Sequence, residues 1–587
     1  MKLLTTLTLL FVSVSASRRR VSRPDDVLPR LSRSVAHDAS MEVAGQGRRL
    51  LVTCFADFKH ATPKQEQQTQ MMRNWGLTTA GVGMRCVIGF CKSESLTRRD
   101  VSGFIADGAC AVVHIPAGAC VANARLGRWS VVQELLSWGY DVVSSDPDVA
   151  FVQNVVPYFA ALYQKHPEVD VLSMSDASTS KTAETLALIH PRLTHTRWSR
   201  TFPNVSIQQG FVTTTAHRDS EALILPVLPL LADGTHVLGL ESPFNCEHQY
   251  NTGWMLWRAT DRSATLLRLW IDRLAPRLGD SSPDDQRPFH ALARERSSHC
   301  RLGDAPTAPL CGGDAMLAAV SNGRACFGLL NLPQFANGFV YASQRAHEMY
   351  GLQPYLYHAT YTSDKVQALT EEGFWKGELK AWDRRFLVYT PTLLTDLSPT
   401  WRGSFALVQH QLRQLHTALS YAVLLNRTLV LPRFALSCHC FFYAVNEETC
   451  LADGLRHRLP YAAPIDHVLK PGKLRVPHVP HGYLDDVVIP KLVKASWRSR
   501  AIGGQDLHVQ SRVLELTGNL EHAFPVAMGD AQPSFDASIH DVLGSWCCIT
   551  RGVWPHDKTF KARYTWRGDA VLTPADDPAS AHGTCGL

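Results

Sequence analysis

The sequence predicts an α/β protein made of two successive regions. Three observations carry this. Short apolar runs of strand length alternate with helix-like segments in the first 150 residues. Beyond residue 400 a long amphipathic stretch leads straight into another apolar strand. The composition is that of a folded chain: 45% of the 587 residues are hydrophobic and only 19% are charged, which excludes disorder throughout.

The N-terminus precedes the fold. Met1-Lys2, the apolar run Leu3–Val14 and the small residues Val14-Ser15-Ala16 read as a signal peptide over residues 1–16. The run falls short of the roughly 20 residues that span a bilayer. Arg18-Arg19-Arg20 oppose the alternative, an uncleaved signal-anchor with its N-terminus in the cytosol. Membrane association is expected only if this segment stays in place. Residues 17–45 carry Arg, Ser and Pro without periodicity and read as a stem or linker. Six Arg and two Asp between residues 18 and 37 supply +4 of the net +6. The remainder is nearly neutral, so no nucleic-acid partner is expected. Fifteen cysteines suit an oxidising compartment, and the odd count leaves at least one unpaired. The sequons at Asn204 and Asn426 agree with a route through the ER or Golgi lumen.

The first region, residues 46–370, begins with a buried strand at Leu50–Phe55. Helix-like sequence follows from Pro63 to Trp75, then strands at Met84–Phe90 and Ala111–Ile115. From Trp129 to Trp138, Val131, Val132, Leu135, Leu136 and Trp138 recur at helical spacing until Gly139 stops the helix. Tyr140–Ser145 is a strand that runs directly into Asp146-Pro147-Asp148. In the second region, 371–587, Val408, Leu412, Leu415, Leu419 and Ala422 mark an amphipathic helix, and Thr428–Leu431 a strand closed by Pro432.

Asp146-Pro147-Asp148 carries the chemistry. Ligands of open α/β sheets bind beyond the carboxyl ends of strands, and two carboxylates one residue apart there can share a hard divalent ion. Such an ion neutralises a departing diphosphate. A solvated turn with proline at its second position is the alternative.

The blocks around this triplet resemble a known family. Gly139–Phe151 is similar to the donor-site strand of nucleotide-diphospho-sugar transferases, in particular glycosyltransferase family 77. Pro157-Tyr158-Phe159, Asp170–Asp176, Asn251–Arg258, Asp285-Gln286, Phe335–Gly338 and His358-Ala359-Thr360 follow in that family's order. His410–Leu415 and Asn426–Pro432 resemble the C-terminal extension of extensin-type arabinosyltransferases. Pro147 departs from the family's usual small or β-branched residue.

The resemblance implies a GT-A-type domain with a mainly parallel twisted sheet, binding a UDP-sugar through Mn²⁺ or Mg²⁺. Asp148 would ligate the metal, Asp146 would hold ribose or a metal-bound water, and His358 would be a third ligand or a buried hydrogen-bonded histidine. Asn251 and Gly253 would lie against the donor sugar or form a tight turn. Glu241, Asp285 and Gln286 are the candidates to act at the reacting carbon, with a polar loop as the alternative for the last two. Asp176 is an acceptor-side carboxylate or a strand-end turn. Arg125 and Arg128 reach the nucleotide or lie on a solvated helix start. His410 and Arg413 bind sugar phosphate or form a surface helix face. Cys438-His439-Cys440 and Cys450 form disulfides in preference to a zinc site. The implied activity is retaining transfer to a glycoprotein or glycan, best of arabinofuranose, with xylose or galactose transfer or a non-catalytic glycan-binding relative as rivals.

Overall fold

The structure is a computed structural model. It describes residues 30–57, 63–91, 110–115, 124–176, 250–275, 285–293, 317–343, 353–376, 384–394, 401–436, 465–481, 513–516 and 528–543, less single positions inside these spans, with short strands between 205 and 241 and after 445 and isolated residues between them. Residues 1–16, Asn204, Cys438-His439-Cys440 and Cys450 lie outside this set. Among the described residues no helix is long and apolar enough to cross a membrane.

The first region is built on one large sheet. Its strands are β1 (Arg48–Asp57), β2 (Cys86–Cys91), β3 (Ala111–His114) and β4 (Tyr140–Ser145). The outlying β5 (Val149–Phe151) comes next, then β6 (Val171–Ser175), β7 (Leu240–Glu241), β8 (Tyr250–Trp257) and β9 (Ala325–Leu330). The order across the sheet is β7-β9-β6-β8-β4-β1-β2-β3. Pairing is parallel from β4 to β3 and between β9 and β6. Strand β8 is antiparallel to both neighbours, and β7 is antiparallel to β9. The sheet is therefore mainly parallel, as the resemblance implies, with one reversed strand in its middle.

Helices cover both faces. On one side, α1 (Pro63–Gly81) brings Met72 and Trp75, and α3 (Val156–Lys165) brings Tyr158, Phe159 and Leu162, against Leu50, Val52 and Cys54 of β1. On the other side, α2 (Ala124–Ser137), α4 (Asp261–Leu274) and α5 (Gln286–Ala293) place Trp129, Trp270 and Phe289 against Leu51 and Phe55. Alternate residues of β1 thus feed opposite cores. That is why the strand reads as a continuous apolar run and not as an alternating one. Gly139, at φ +90°, ends the chain's turn out of α2 in a conformation that other residues avoid.

Residues 17–45 were expected to be stem. From Arg30 onward they are folded: Arg33–Ala39 is a helix capped by Ser32, and Met41–Val43 pairs with β1. Ala36, Ala39 and Val43 are buried in the two cores. Two alanines and one valine carry those contacts, too little apolar signal to stand out in an Arg- and Ser-rich stretch. Cys86 is bonded to Cys110, Cys326 is also in a disulfide, and Cys54 is free and buried.

Beyond β9 come β10 (Phe335–Asn337), β11 (Leu356–His358) and α6 (Lys365–Glu371). The second region has its own all-parallel sheet of β12 (Phe386–Tyr389), β13 (Thr428–Val430), β14 (His478–Val479), β15 (Arg498–Ala501) and β16 (Val513–Leu516), in the order β14-β13-β12-β16-β15. Helix α7 (Trp401–Leu424) packs Val408, Leu412, Leu415, Leu419 and Ala422 onto it. Its polar Gln409, Gln411 and Gln414 are buried as well, and their amides bond to Thr565, Ala435 and Thr392. His410 is buried beside Thr392, not on a surface face. Asn426 is exposed with φ +48°, and the N–H of Arg427 donates to the Ala422 carbonyl. An Asn in this left-handed position stops the helix, so this sequon residue has a structural role of its own.

Candidate active site

The triplet after β4 is both a turn and a site. The Val149 N–H donates to the Asp146 carbonyl at 3.3 Å, closing a turn with Pro147 in its second position, where the fixed φ of proline fits. The turn is only partly solvated: Asp148 is 9% exposed, while Asp146 and Pro147 are half-buried. Strand β5 then pairs antiparallel with β11, in a register that sets His358 opposite Val149. The Ala359 N–H donates to the Asp148 carbonyl at 3.0 Å. Strand pairing therefore brings His358 to the turn, and one ligand atom each of Asp146, Asp148 and His358 lies within 4.8 Å of the others.

Electrostatics separate the two carboxylates. Burial raises the Asp146 carboxyl above the ordinary range, and the Arg128 guanidinium only partly opposes this. Burial also works against ionisation of Asp148, but His358 and Lys365 outweigh it and hold that carboxyl below the ordinary range. His358 Nε2 lies 3.3 Å from Asp148 Oδ1, and Lys365 Nζ 3.3 Å from Oδ2. Burial disfavours the charged imidazole of His358, yet the Asp148 carboxylate raises its pKa overall. His358 Nδ1 is buried with no hydrogen-bond partner among the described residues. Two carboxylates and an imidazole with an orphaned nitrogen fit a divalent ion, and the imidazole favours a transition metal over Mg²⁺.

The Asn251-Thr252-Gly253 block is a bulge. The register of β8 against β6 shifts between Asn251 and Met255, which re-aims the side chains at that point. Gly253 accepts the Asp146 N–H on its carbonyl at 2.6 Å. A Cβ there would meet Asp146 Oδ2 and His358 Cε1, each at 2.6 Å. Only glycine lets the strand approach the turn this closely.

The other candidates take distinct places. Gln286, the first residue of α5, accepts the Thr252 N–H at 3.3 Å and donates to Asp176 Oδ2 at 3.0 Å. Asn251 accepts the Gly253 N–H at 2.7 Å and donates to Asp176 Oδ1. Asp285 is buried, and its carboxylate accepts from the Trp129 indole at 3.1 Å and the Thr252 hydroxyl at 3.4 Å. Glu241 lies on β7, two strands from β6. Arg125 lies on α2.

One named residue takes an unexpected place, and two further groups escape the sequence reading. Arg128, expected on a solvated helix start or at the nucleotide, is buried. It donates to Asp146 Oδ1 at 2.5 Å, Ser144 Oγ at 2.7 Å and the Thr252 carbonyl at 2.9 Å. Lys365 reaches the site from the start of α6, a basic residue seven positions past His358 and in no motif. Tyr361, at φ +57°, donates its hydroxyl to the Asp176 carbonyl.

Residues 122–369 match the family described as nucleotide-diphospho-sugar transferase. That stretch of the chain is therefore similar to a nucleotide-diphospho-sugar transferase domain. The match takes in Asp146, Asp148, Asn251, Gly253, Gln286 and His358 together. The match agrees with the nucleotide-diphospho-sugar transferase resemblance read from the sequence. Over 396 residues the chain is 25% identical to Arabinosyltransferase XEG113 of Arabidopsis thaliana, an alignment covering 64% of this chain. The chain spans about half the length of that relative, 50%. Mouse xyloside xylosyltransferase 1 aligns over 53% of this chain and 97% of its own, at 11% identity and a TM-score of 0.25. The glycosyltransferase GlyE of Streptococcus pneumoniae TIGR4 aligns over 65% and 74%, at 10% identity and the same TM-score of 0.25. Those two scores are too low to bear on the fold.

Proposed function

We propose that this transferase domain moves a sugar, best arabinofuranose, from its UDP-linked form to a glycoprotein or glycan acceptor, with retention and with Mn²⁺ or Mg²⁺ bound. The observation that carries the reading is the convergence of Asp146, Asp148 and His358 at the carboxyl end of β4. The relative named as an arabinosyltransferase supports the choice of sugar.

Asp148, ionised by its neighbours, and neutral His358 would hold the metal, with Asp146 kept in place by Arg128. The metal supplies positive charge to the departing diphosphate. Lys365, 31% exposed, needs only to swing from Asp148 to lie against the same phosphates. Asp285 keeps both carboxylate oxygens in hydrogen bonds to Trp129 and Thr252. That favours same-face attack guided by the leaving phosphate over a covalent intermediate on Asp285. Gln286, beside Thr252 and Asp176, would lie nearer the sugar. A lumenal location of the secretory pathway is part of the proposal, resting on the Leu3–Val14 run and the sequons.

The test is UDP release by the chain secreted from eukaryotic cells, with UDP-arabinofuranose, UDP-xylose and UDP-galactose, in Mn²⁺ and in EDTA. Metal-dependent release with one of these donors is expected. Release from none of them, or release untouched by EDTA, refutes the proposal. Loss of mass on endoglycosidase treatment is expected of the same material, and a non-glycosylated cytosolic product contradicts the location.

A further inference from the structure

We propose that Asp176 is the sugar-reading carboxylate of the donor site and that it selects neutral sugars over uronates. The inference rests on the donor-site reading above and deepens it.

Three elements of the site converge on this one residue at the end of β6. Asn251 of the β8 bulge donates to one carboxylate oxygen, and Gln286 at the start of α5 donates to the other at 3.0 Å. Tyr361, three residues past His358, fixes the backbone through the Asp176 carbonyl. Neither amide is free to flip. The Asn251 amide oxygen is held by the Gly253 N–H at 2.7 Å, and the Gln286 amide oxygen by the Thr252 N–H at 3.3 Å. Backbone donors therefore fix which end of each amide faces Asp176. A carboxylate offers about four acceptor positions, and the amides occupy one on each oxygen. Among the described residues no hydrogen bond fills the other positions, which can accept hydroxyl donors.

Placement makes those donors the sugar's. Asp146 Oδ2, His358 Cε1 and Asn251 Oδ1 close in on Gly253 together, at 2.6, 2.6 and 2.8 Å from where a Cβ would stand. One side chain thus separates the metal-ligand cluster from Asp176. A sugar on the metal-bound diphosphate would lie across that short floor. Paired hydroxyls satisfy a carboxylate; the carboxylate of a uronate would be set against it instead. The site's described cations do not relieve that repulsion, because Arg128 is paired with Asp146 and Lys365 with Asp148.

The experiment compares UDP, UDP-arabinofuranose, UDP-xylose, UDP-galactose and UDP-glucuronate binding by calorimetry in Mn²⁺, for the full chain and for Asp176→Asn and Asp176→Ser. Thermal melts and kcat/KM are measured alongside. UDP contacts the metal and nucleotide parts only and serves as the internal control. In both variants UDP affinity should hold while the preferred neutral donor weakens by about 10- to 100-fold, the usual loss for a hydrogen bond to a charged group. Wild type should bind UDP-glucuronate more weakly than the preferred neutral donor. An unchanged ratio of donor to UDP affinity overturns the proposal, as does a parallel loss of both, which would place Asp176 in the metal site. Equal wild-type affinity for the uronate overturns the selectivity. A wild-type chain that binds neither UDP nor any donor refutes the donor-site reading itself, and this inference with it.

Discussion

At Asp148 one carboxylate answers to an imidazole and an ammonium at 3.3 Å each. Asp148→Asn keeps the shape but removes the charge that a hard cation needs. UDP release should fall at least ~100-fold, because the metal contributes several kcal/mol to the leaving group. Melting should change little, and near-normal turnover in a folded variant would remove Asp148 from the mechanism. Gly253→Ala tests the same centre by volume. Its Cβ, 2.6 Å from Asp146 and His358, must push ligands apart, so Mn²⁺ affinity should drop about 5- to 150-fold for an overpacking cost of about 1–3 kcal/mol. Wild-type Mn²⁺ binding in a calorimetric titration would contradict that. The aspartates were legible in the sequence because they follow a buried strand end, a place where exposed polar residues need a reason. Arg128 was not. Its helix carries charge at both ends, and nothing local says that the guanidinium turns inward to three acceptors supplied by β4, the turn and β8. Asp176 was legible as a strand end only, since its meaning comes from amides 75 and 110 residues away.

At the scale of elements, strands β1 to β4 and helices α2 and α7 were legible because burial on one or both faces leaves a periodicity in the sequence. The pairing of β5 with β11 was not, for three-residue strands carry no period, and their register is set by the long sheet beside them. Helix α6 shows a different kind of hidden feature. Glu371, at its end, is buried next to Asp466 and Glu372. Burial first, then those two carboxylates, raise its pKa well above 4.5, against the amide of Gln367 and the charge of Arg433. The folded state thus holds Glu371 protonated where the unfolded chain would ionise it. Its contribution to stability is full below about pH 4.5 and is lost as pH rises through the folded value. Glu371→Gln mimics the neutral form and keeps the acceptor for Gln367. Its melting temperature should match wild type near pH 4 and exceed it progressively toward pH 8. A variant less stable than wild type at pH 8 would show that Glu371 is held ionised.

At the scale of the molecule, the two regions have separate cores, yet the segment from His358 to Lys376 is gripped from both sides. Toward the first region, His358 lies in the metal-ligand cluster and the Lys376 N–H donates to Asn74 at 2.6 Å. Toward the second, the Thr362 hydroxyl donates to Asp466 at 2.5 Å, and Arg433 pairs with Glu372 at 3.1 Å. His358 and Lys365 therefore owe their positions partly to residues far along the chain, which no motif of the first region could reveal. Removing Arg433 would deprive the Glu372 carboxylate, close to Glu371, of that cation. Breaking such a buried pair costs about 3–5 kcal/mol, and less here because Arg433 is 27% exposed. Part of that strain should reach the site through α6. Arg433→Met should weaken Mn²⁺-dependent UDP binding several-fold, with Asp148, His358 and Lys365 all intact. The double variant Glu372→Gln/Arg433→Met removes both charges and should recover much of the loss, because two neutral groups of similar shape are far cheaper to bury than one unpaired carboxylate. Both variants are read by UDP titration at fixed Mn²⁺, with melts to track folding. Wild-type UDP affinity in Arg433→Met would mean that the second region stands beside the site without holding it. Loss without recovery in the double variant would mean that Arg433 acts through contacts other than Glu372.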